Sequence, residues 1–166
     1  ADYHVHSRYS DGRATIRQLA EAALAKGLEA IIITDHGPRN IGAGVKSAET
    51  FIKAKKEALQ LKEEFPQLDI QVGAEANVIS LDGDIDVPES IYRELDWLIV
   101  GLHPLVWPAD ARSAWYYVLG NRLHTFTEAQ RQRCLEINTK ALVAALRRHK
   151  VDVVAHPGLG MPVDLE

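Results

Sequence analysis

Seven histidines stand at positions 4, 6, 36, 103, 124, 149 and 156, and their placement carries the main chemical signal. His36, His103 and His156 each close an apolar run: Ile31-Ile32-Ile33-Thr34-Asp35-His36, Leu98-Ile99-Val100-Gly101-Leu102-His103 and Asp152-Val153-Val154-Ala155-His156. Glu75 closes another in the same way, after Ile70-Gln71-Val72-Gly73-Ala74. His4 and His6 are two apart, so a strand projects both imidazoles from one face. Where parallel strands of repeated βα units form a barrel, their carboxyl ends make one face, and side chains from separate units converge there. Five imidazoles and a carboxylate then point at one mouth. Those groups suit zinc, manganese or iron. A single strand-end histidine is most often an ordinary satisfied polar residue, and His-x-His alone is a weak signature; the coincidence of five is what argues for a shared metal site. Glu75 among histidines is placed to bridge two ions, and paired ions favour in-line displacement at phosphorus. Its plain alternative is a glutamate accepting from local amides.

Other residues carry less. Asp11, in Ser10-Asp11-Gly12, is both a turn former and a further candidate ligand. Asp2 shares the strand face of His4 and His6, where it is either a second carboxylate orienting an imidazole or a solvated residue. Asp35 points the other way if its strand is regular. His149, after Arg147-Arg148, is explained by the negative end of a helix dipole, and His124 by local packing. Arg8 and Arg39 follow strands one and two on the presumed active face, where an arginine holds a phosphate bidentately; exposed loop arginines are also common. Lys46 and Arg122 are weaker candidates. Trp107, Trp115, Tyr116 and Tyr117 fit packing of an insertion better than a pocket wall.

Short apolar strands alternating with longer helical patterns predict an α/β chain with a parallel sheet. Strands are expected at about 2–6, 30–35, 70–75, 97–103 and 151–156. Helices are expected from Thr15, whose Thr15-Ile16-Arg17-Gln18 is a capping-box pattern, to a C-terminal glycine at Gly27; from about Ser47 to Phe65, stopped by Pro66; around Ile91 to Leu95; and from the second capping-box pattern, Thr127-Glu128-Ala129-Gln130, to about Lys150. The last should bury Cys134, Ile137, Ala141, Leu142, Ala145 and Leu146. Leu81-Asp82-Gly83-Asp84 reads as a turn within a hairpin excursion. Pro104 to Phe126 is an insertion of no clear pattern.

The chain has 166 residues, 46% hydrophobic and 25% charged, which suits one soluble domain with a real core. Nineteen basic against 23 acidic residues, a net charge of −4, gives no bulk reason to expect a nucleic-acid or anionic-membrane partner. One cysteine, Cys134, excludes an internal disulfide framework and suits a reducing, cytoplasmic location. No apolar run approaches a membrane span, and no charged-then-apolar leader opens the chain. It begins at Ala1 with a strand almost at once, so an excised or processed piece is expected.

The segments His4-Val5-His6 with Ser10-Asp11-Gly12, Ile33-Thr34-Asp35-His36, Gly73-Ala74-Glu75-Ala76-Asn77, Gly101-Leu102-His103 and Ala155-His156-Pro157-Gly158 resemble, in order and from end to end, the PHP (polymerase and histidinol phosphatase) domain family. The resemblance implies a distorted (β/α)7 TIM-like barrel holding two or three zinc, manganese or iron ions and cleaving phosphoesters. Carried over, His4 and His6 bind one ion, Glu75 bridges it to a second completed by His103 and His156, and His36 with Asp11 serves a third. Glu75 and His103 become the catalytic residues and Arg8 and Arg39 the substrate-binding ones. The implied activity is hydrolysis of a small phosphomonoester, of histidinol-phosphatase or nucleotide-phosphatase type, by a metal-activated hydroxide. Its rivals are the 3′-5′ exonuclease of PHP domains attached to DNA polymerases, C–N hydrolysis of amidohydrolase type, and a non-catalytic metal-stabilised domain. The family's late Asp-x-His does not follow His156, so the expected barrel over 1–166 is incomplete at its C-terminal side: either the chain is truncated, or a second fragment or subunit supplies the missing strands.

Overall fold

A computed structural model describes residues 1–117, 127–159 and 161–165. Five parallel strands, β1 (Asp2–Val5), β2 (Ala30–Ile33), β3 (Asp69–Asn77), β4 (Trp97–Gly101) and β5 (Val153–Val154), lie side by side in sequence order. They curl into an open half-barrel, with β1 and β5 at its edges among the described residues. Helices α1 (Ile16–Ala25), α2 (Glu49–Glu64), α3 (Glu89–Tyr92) and, after α4 (Ala111–Trp115), which meets the excursion after β3 through Ser113 and Leu81, α5 (Glu128–Arg148) cover the convex side.

Alternation along β3 sorts its side chains. Ile70, Val72, Ala74 and Ala76 join the helix-facing core, while Gln71, Gly73, Glu75 and Asn77 take the opposite, concave face. On β4, Leu98 and Val100 pack under the helices, so Gly101 opposes Asn77 on the concave side. One core lies between α1, α2 and β1–β3, around Ile16, Ala20, Ile31, Ile33, Leu61 and Val72. A second lies between α3, α5 and β3–β4, around Tyr92, Leu98, Val100, Leu142 and Ala145. The isoleucine run of β2 is buried on both faces, as a central parallel strand should be.

The expected elements are present with trimmed ends. β2 stops at Ile33, but an isolated bridge between His36 and Glu75 carries the pairing on to the site. The helix expected around Ile91–Leu95 is a single turn beginning at Glu89, because Pro88 sets the backbone just before it. The hairpin excursion is there: Val78 bridges Ile85, and Gly83, at φ +85°, turns against the backbone of α5 where a Cβ would lie 2.4 Å from the Ala145 nitrogen. The buried stripe of α5 differs from the expected one: Ile137 is only half-buried. Leu146, expected in the core, is 39% exposed, and Asn138 takes a place on the buried stripe instead, donating to the Pro162 carbonyl at 2.9 Å. A polar side chain is accepted there because the chain after β5 folds back across the helix and offers that acceptor. Trp107 and Trp115 are exposed rather than packed on the barrel, while Tyr117 is buried, its hydroxyl donating to the Ser80 carbonyl at 3.1 Å. Arg122 and His124 lie outside the described residues. Among the described residues no helix is long and apolar enough to cross a membrane.

The α1 ends follow their sequence signals. Thr15 Oγ1 accepts from the Gln18 N–H at 3.2 Å, and the Thr15 N–H donates to Gln18 Oε1 at 3.0 Å. Gly27, at φ +70°, closes the other end, with Leu28 N–H on the Ala23 carbonyl and its own N–H on that of Leu24. Thr15→Ala removes the cap and should lower unfolding stability by about 1 kcal/mol, measured by denaturant titration, with metal content unchanged.

Candidate metal centre

Each strand delivers one part of a single cluster. β1 carries His4 and leads directly into His6; a register shift of β1 against β2, between Asp2 and Val5, marks a bulge there. The segment after β2 brings His36 beside Glu75 through their bridge. His103 follows β4 by two residues, and His156 follows β5 by two.

Glu75 sits at the centre with 0% exposure. Its Oε2 lies 3.0 Å from His4 Nε2, 3.0 Å from His6 Nε2 and 3.0 Å from His36 Nδ1. Its Oε1 lies 3.2 Å from His103 Nε2 and 2.9 Å from His156 Nε2. The imidazoles close a ring around it: neighbouring centroids are 5.1 Å (His4–His6), 4.4 Å (His6–His36), 4.8 Å (His36–His103), 5.2 Å (His103–His156) and 5.8 Å (His156–His4). On the rim, Asp11 Oδ1 lies 2.8 Å from His6 Nδ1. The cluster floors an open cavity of about 470 Å³ with Leu159 at its edge.

Electrostatics keep the central carboxylate ionised. Burial alone would raise the Glu75 pKa, but the close approach of the His103, His36, His4 and His6 imidazoles overrides it and holds the carboxyl far below the usual carboxylate range. For His6 burial opposes charge, yet Glu75 and Asp11 leave its pKa raised. Asp11 is lowered, His6 overcoming its partial burial.

The donor set fits metal ions. Two carboxylate oxygens cannot satisfy five inward-facing rings: among the described residues His36 Nδ1 and His103 Nε2 approach Glu75 without forming an aligned hydrogen bond, and buried His103 Nδ1 has no partner. His4 Nε2 and His6 Nε2 face each other at 3.1 Å. Separations near 3 Å are those that two ligands of one ion keep when each bond is about 2.1 Å. Three sets of ligand atoms lie close enough to share an ion: His4, His6 and Glu75; His6, Asp11 and His36; His36, Glu75 and His103. His156 adds a fifth ring on the Oε1 side and holds it at φ +24°, a strained value for a non-glycine residue.

The other sequence candidates lie elsewhere or are held locally. Asp2 accepts from the backbone N–H of His4 at 3.3 Å rather than from an imidazole, so it does not orient a ring. Asp35 faces away, accepting from the Ser7 N–H and hydroxyl, both at 2.7 Å, and from the Ser10 hydroxyl; it fixes the loop that presents Asp11. His149 is tied to the Tyr92 hydroxyl and the Gly83 carbonyl. Arg8 donates through Nε to the Arg13 carbonyl at 2.7 Å, and Arg39 through Nη1 to the Pro108 carbonyl at 3.0 Å. Sequence reading missed Asp86 and Asn77, which form a buried polar pair under the loop after β2. Asn77 stands two residues beyond Glu75, on the same strand face; Asp86 gave no local signal.

The profile of the PHP domain family matches residues 2–157. The chain belongs to the PHP family. The PHP chain is 32% identical over 169 residues to a probable phosphatase of Thermoanaerobacter sp. strain X514, covering 99% of this chain and 57% of that protein. It is 29% identical over 168 residues to a probable phosphatase of Acetivibrio thermocellus, again covering 99% of this chain and 57% of the relative. It is 30% identical over 156 residues to the DNA polymerase/3′-5′ exonuclease PolX of Bacillus subtilis, covering 94% of this chain and 23% of that protein. The PHP chain therefore spans little more than half the length of these phosphatase relatives.

Gly101 makes room for the buried ring of His103. A Cβ there would lie 2.7 Å from His103 Cε1 and 3.3 Å from Glu75 Oε1. Gly101→Ala should destabilise by about 1–3 kcal/mol through overpacking and reduce the metal retained after gel filtration, read by elemental analysis.

Proposed function

We propose that this chain holds two or three divalent ions, of zinc, manganese or iron, and hydrolyses a small phosphomonoester. The observation that carries the reading is the buried Glu75 carboxylate with imidazole nitrogens from four strand ends within 3.2 Å. The names of the phosphatase relatives support the same chemistry. Ions bound there would lower the pKa of water towards neutrality and neutralise charge on the phosphoryl oxygens.

The chain's own residues fix where that happens. Glu75 offers one oxygen to the His4–His6–His36 side and the other to the His103–His156 side, so a bridging role follows from its position. His103 supplies a ligand nitrogen from a ring that packing and Gly101 confine. Asp11 and His36 serve the third position, at the rim. Arg8 and Arg39 are the proposed phosphate contacts. Arg8 commits Nε to one backbone carbonyl and Arg39 commits Nη1 to two, those of Trp107 and Pro108, and a guanidinium has five donors, so each retains a fork for an anion while its stem is held. A further segment or a second chain pairing with β5 is the proposed completion of the barrel.

The similarity to PolX favours one second reading, removal of nucleotides from a 3′ end at the same cluster. The two readings separate on substrate: a monoesterase turns over small phosphomonoesters faster than a single-stranded oligonucleotide, and an exonuclease does the reverse.

Glu75→Gln keeps the volume and removes the charge. It should strip bound metal and lower phosphomonoesterase turnover by about a hundredfold or more, as loss of charge stabilisation at a reacting centre does. Normal metal content with normal turnover would refute the bridging role.

A further inference from the structure

Asp86 lies in the hairpin excursion after β3, 7% exposed, and no cation pairs with it among the described residues. Its carboxylate is instead surrounded by neutral donors. Oδ1 accepts from the Asn77 N–H at 2.7 Å; Oδ2 accepts from the Asn77 side-chain amide at 2.6 Å and from the Arg39 N–H at 2.9 Å. A buried carboxylate without a counter-charge is expensive and is kept only where several hydrogen bonds hold it.

Those donors belong to the segments that carry the metal-site residues. Asn77 is two residues past Glu75, and Arg39 is three past His36. Gly37, next to His36, passes directly under the carboxylate: a Cβ on it would lie 2.2 Å from Asp86 Oδ1. The Gly37 N–H donates to the Glu75 carbonyl at 2.9 Å, so the backbone turn that aims His36 is clamped between Glu75 and Asp86. The network runs on. Asn40 Nδ2 donates to Asn77 Oδ1 at 3.2 Å, Asn40 bridges Val106, and the Ile41 and Trp107 N–H groups donate to the Leu105 and Arg39 carbonyls. That ladder fastens the loop after His103 to the loop after His36.

We propose that Asp86 is a positioning residue for the metal centre, setting the separation of His36, Glu75 and His103 through Asn77 and the backbone of 37–40. It touches no ligand atom itself; it acts by holding three ligand-bearing segments in one register. The proposal rests on the proposed metal reading only in requiring that ions bind at the cluster.

The test is titration of the metal-free chain with Co²⁺ alone, followed by visible absorption, at a temperature where circular dichroism shows each variant folded. Asp86→Asn should weaken Co²⁺ affinity by about 10- to 100-fold, the range for residues that orient metal ligands, and alter the band envelope. Asp96→Asn is the control: its carboxylate also accepts a backbone N–H, from Val72 at 3.0 Å, but at the opposite end of the sheet. It should cost stability and leave Co²⁺ binding unchanged. Wild-type affinity and spectrum in folded Asp86→Asn would overturn the proposal, whatever its melting temperature. If that variant does not fold, Asn40→Ala, which cuts only the outer bond of the network, decides between the same two outcomes. A wild-type chain that binds no Co²⁺ would instead overturn the metal reading beneath it.

Discussion

A carboxylate removed from water stays ionised only if something nearby replaces its hydration, and Glu75 is removed completely. In this chain the replacement comes from imidazole nitrogens on four different strand ends. Protein hydrogen bonds alone serve that arrangement poorly. Five rings converge on two oxygens, and among the described residues three buried ring nitrogens make no aligned hydrogen bond. Cations between the rings and the carboxylate would satisfy both sides at once. The cluster therefore makes chemical sense as a set of ligands and little sense as a packed polar core.

The fold is organised around that requirement. Parallel strands in sequence order put their carboxyl ends on one side, and the two-residue alternation of β3 sends alanines to the helices while Glu75 and Asn77 face the concave side. The concave face is thinned where the rings must fit, by Gly101 beside His103. Behind the rings, carboxylates that never touch the cluster lock the loops: Asp35 under the loop after β1 and Asp86 under the loop after β2.

Much of this was legible from residue order. An apolar run ending in histidine or glutamate, repeated strand after strand, locates the convergence because strand ends in βα units share a face. His4 and His6 share a side because a strand repeats every two residues. Other features depend on contacts between segments far apart in sequence. Asp86 reads as one more acid in Asp82-Gly83-Asp84-Ile85-Asp86, and nothing local shows that the third acid folds under Gly37 while the first two remain at the surface. Asn138 looks like a helix-surface residue until the Pro162 carbonyl arrives beside it, and Leu146 looks like core until α5 is docked. Arg39 sits in the expected loop, yet the carbonyls that hold its guanidinium come from a segment nearly 70 residues away.

Whether Glu75 is shared between ions is decided by locating metal through anomalous scattering from crystals of the manganese- or zinc-soaked chain. At least two peaks should flank the carboxylate, one about 2.0–2.2 Å from His4 and His6 nitrogens and one at a similar distance from His103 or His156. A single peak away from Glu75, or none at saturating metal, would contradict it.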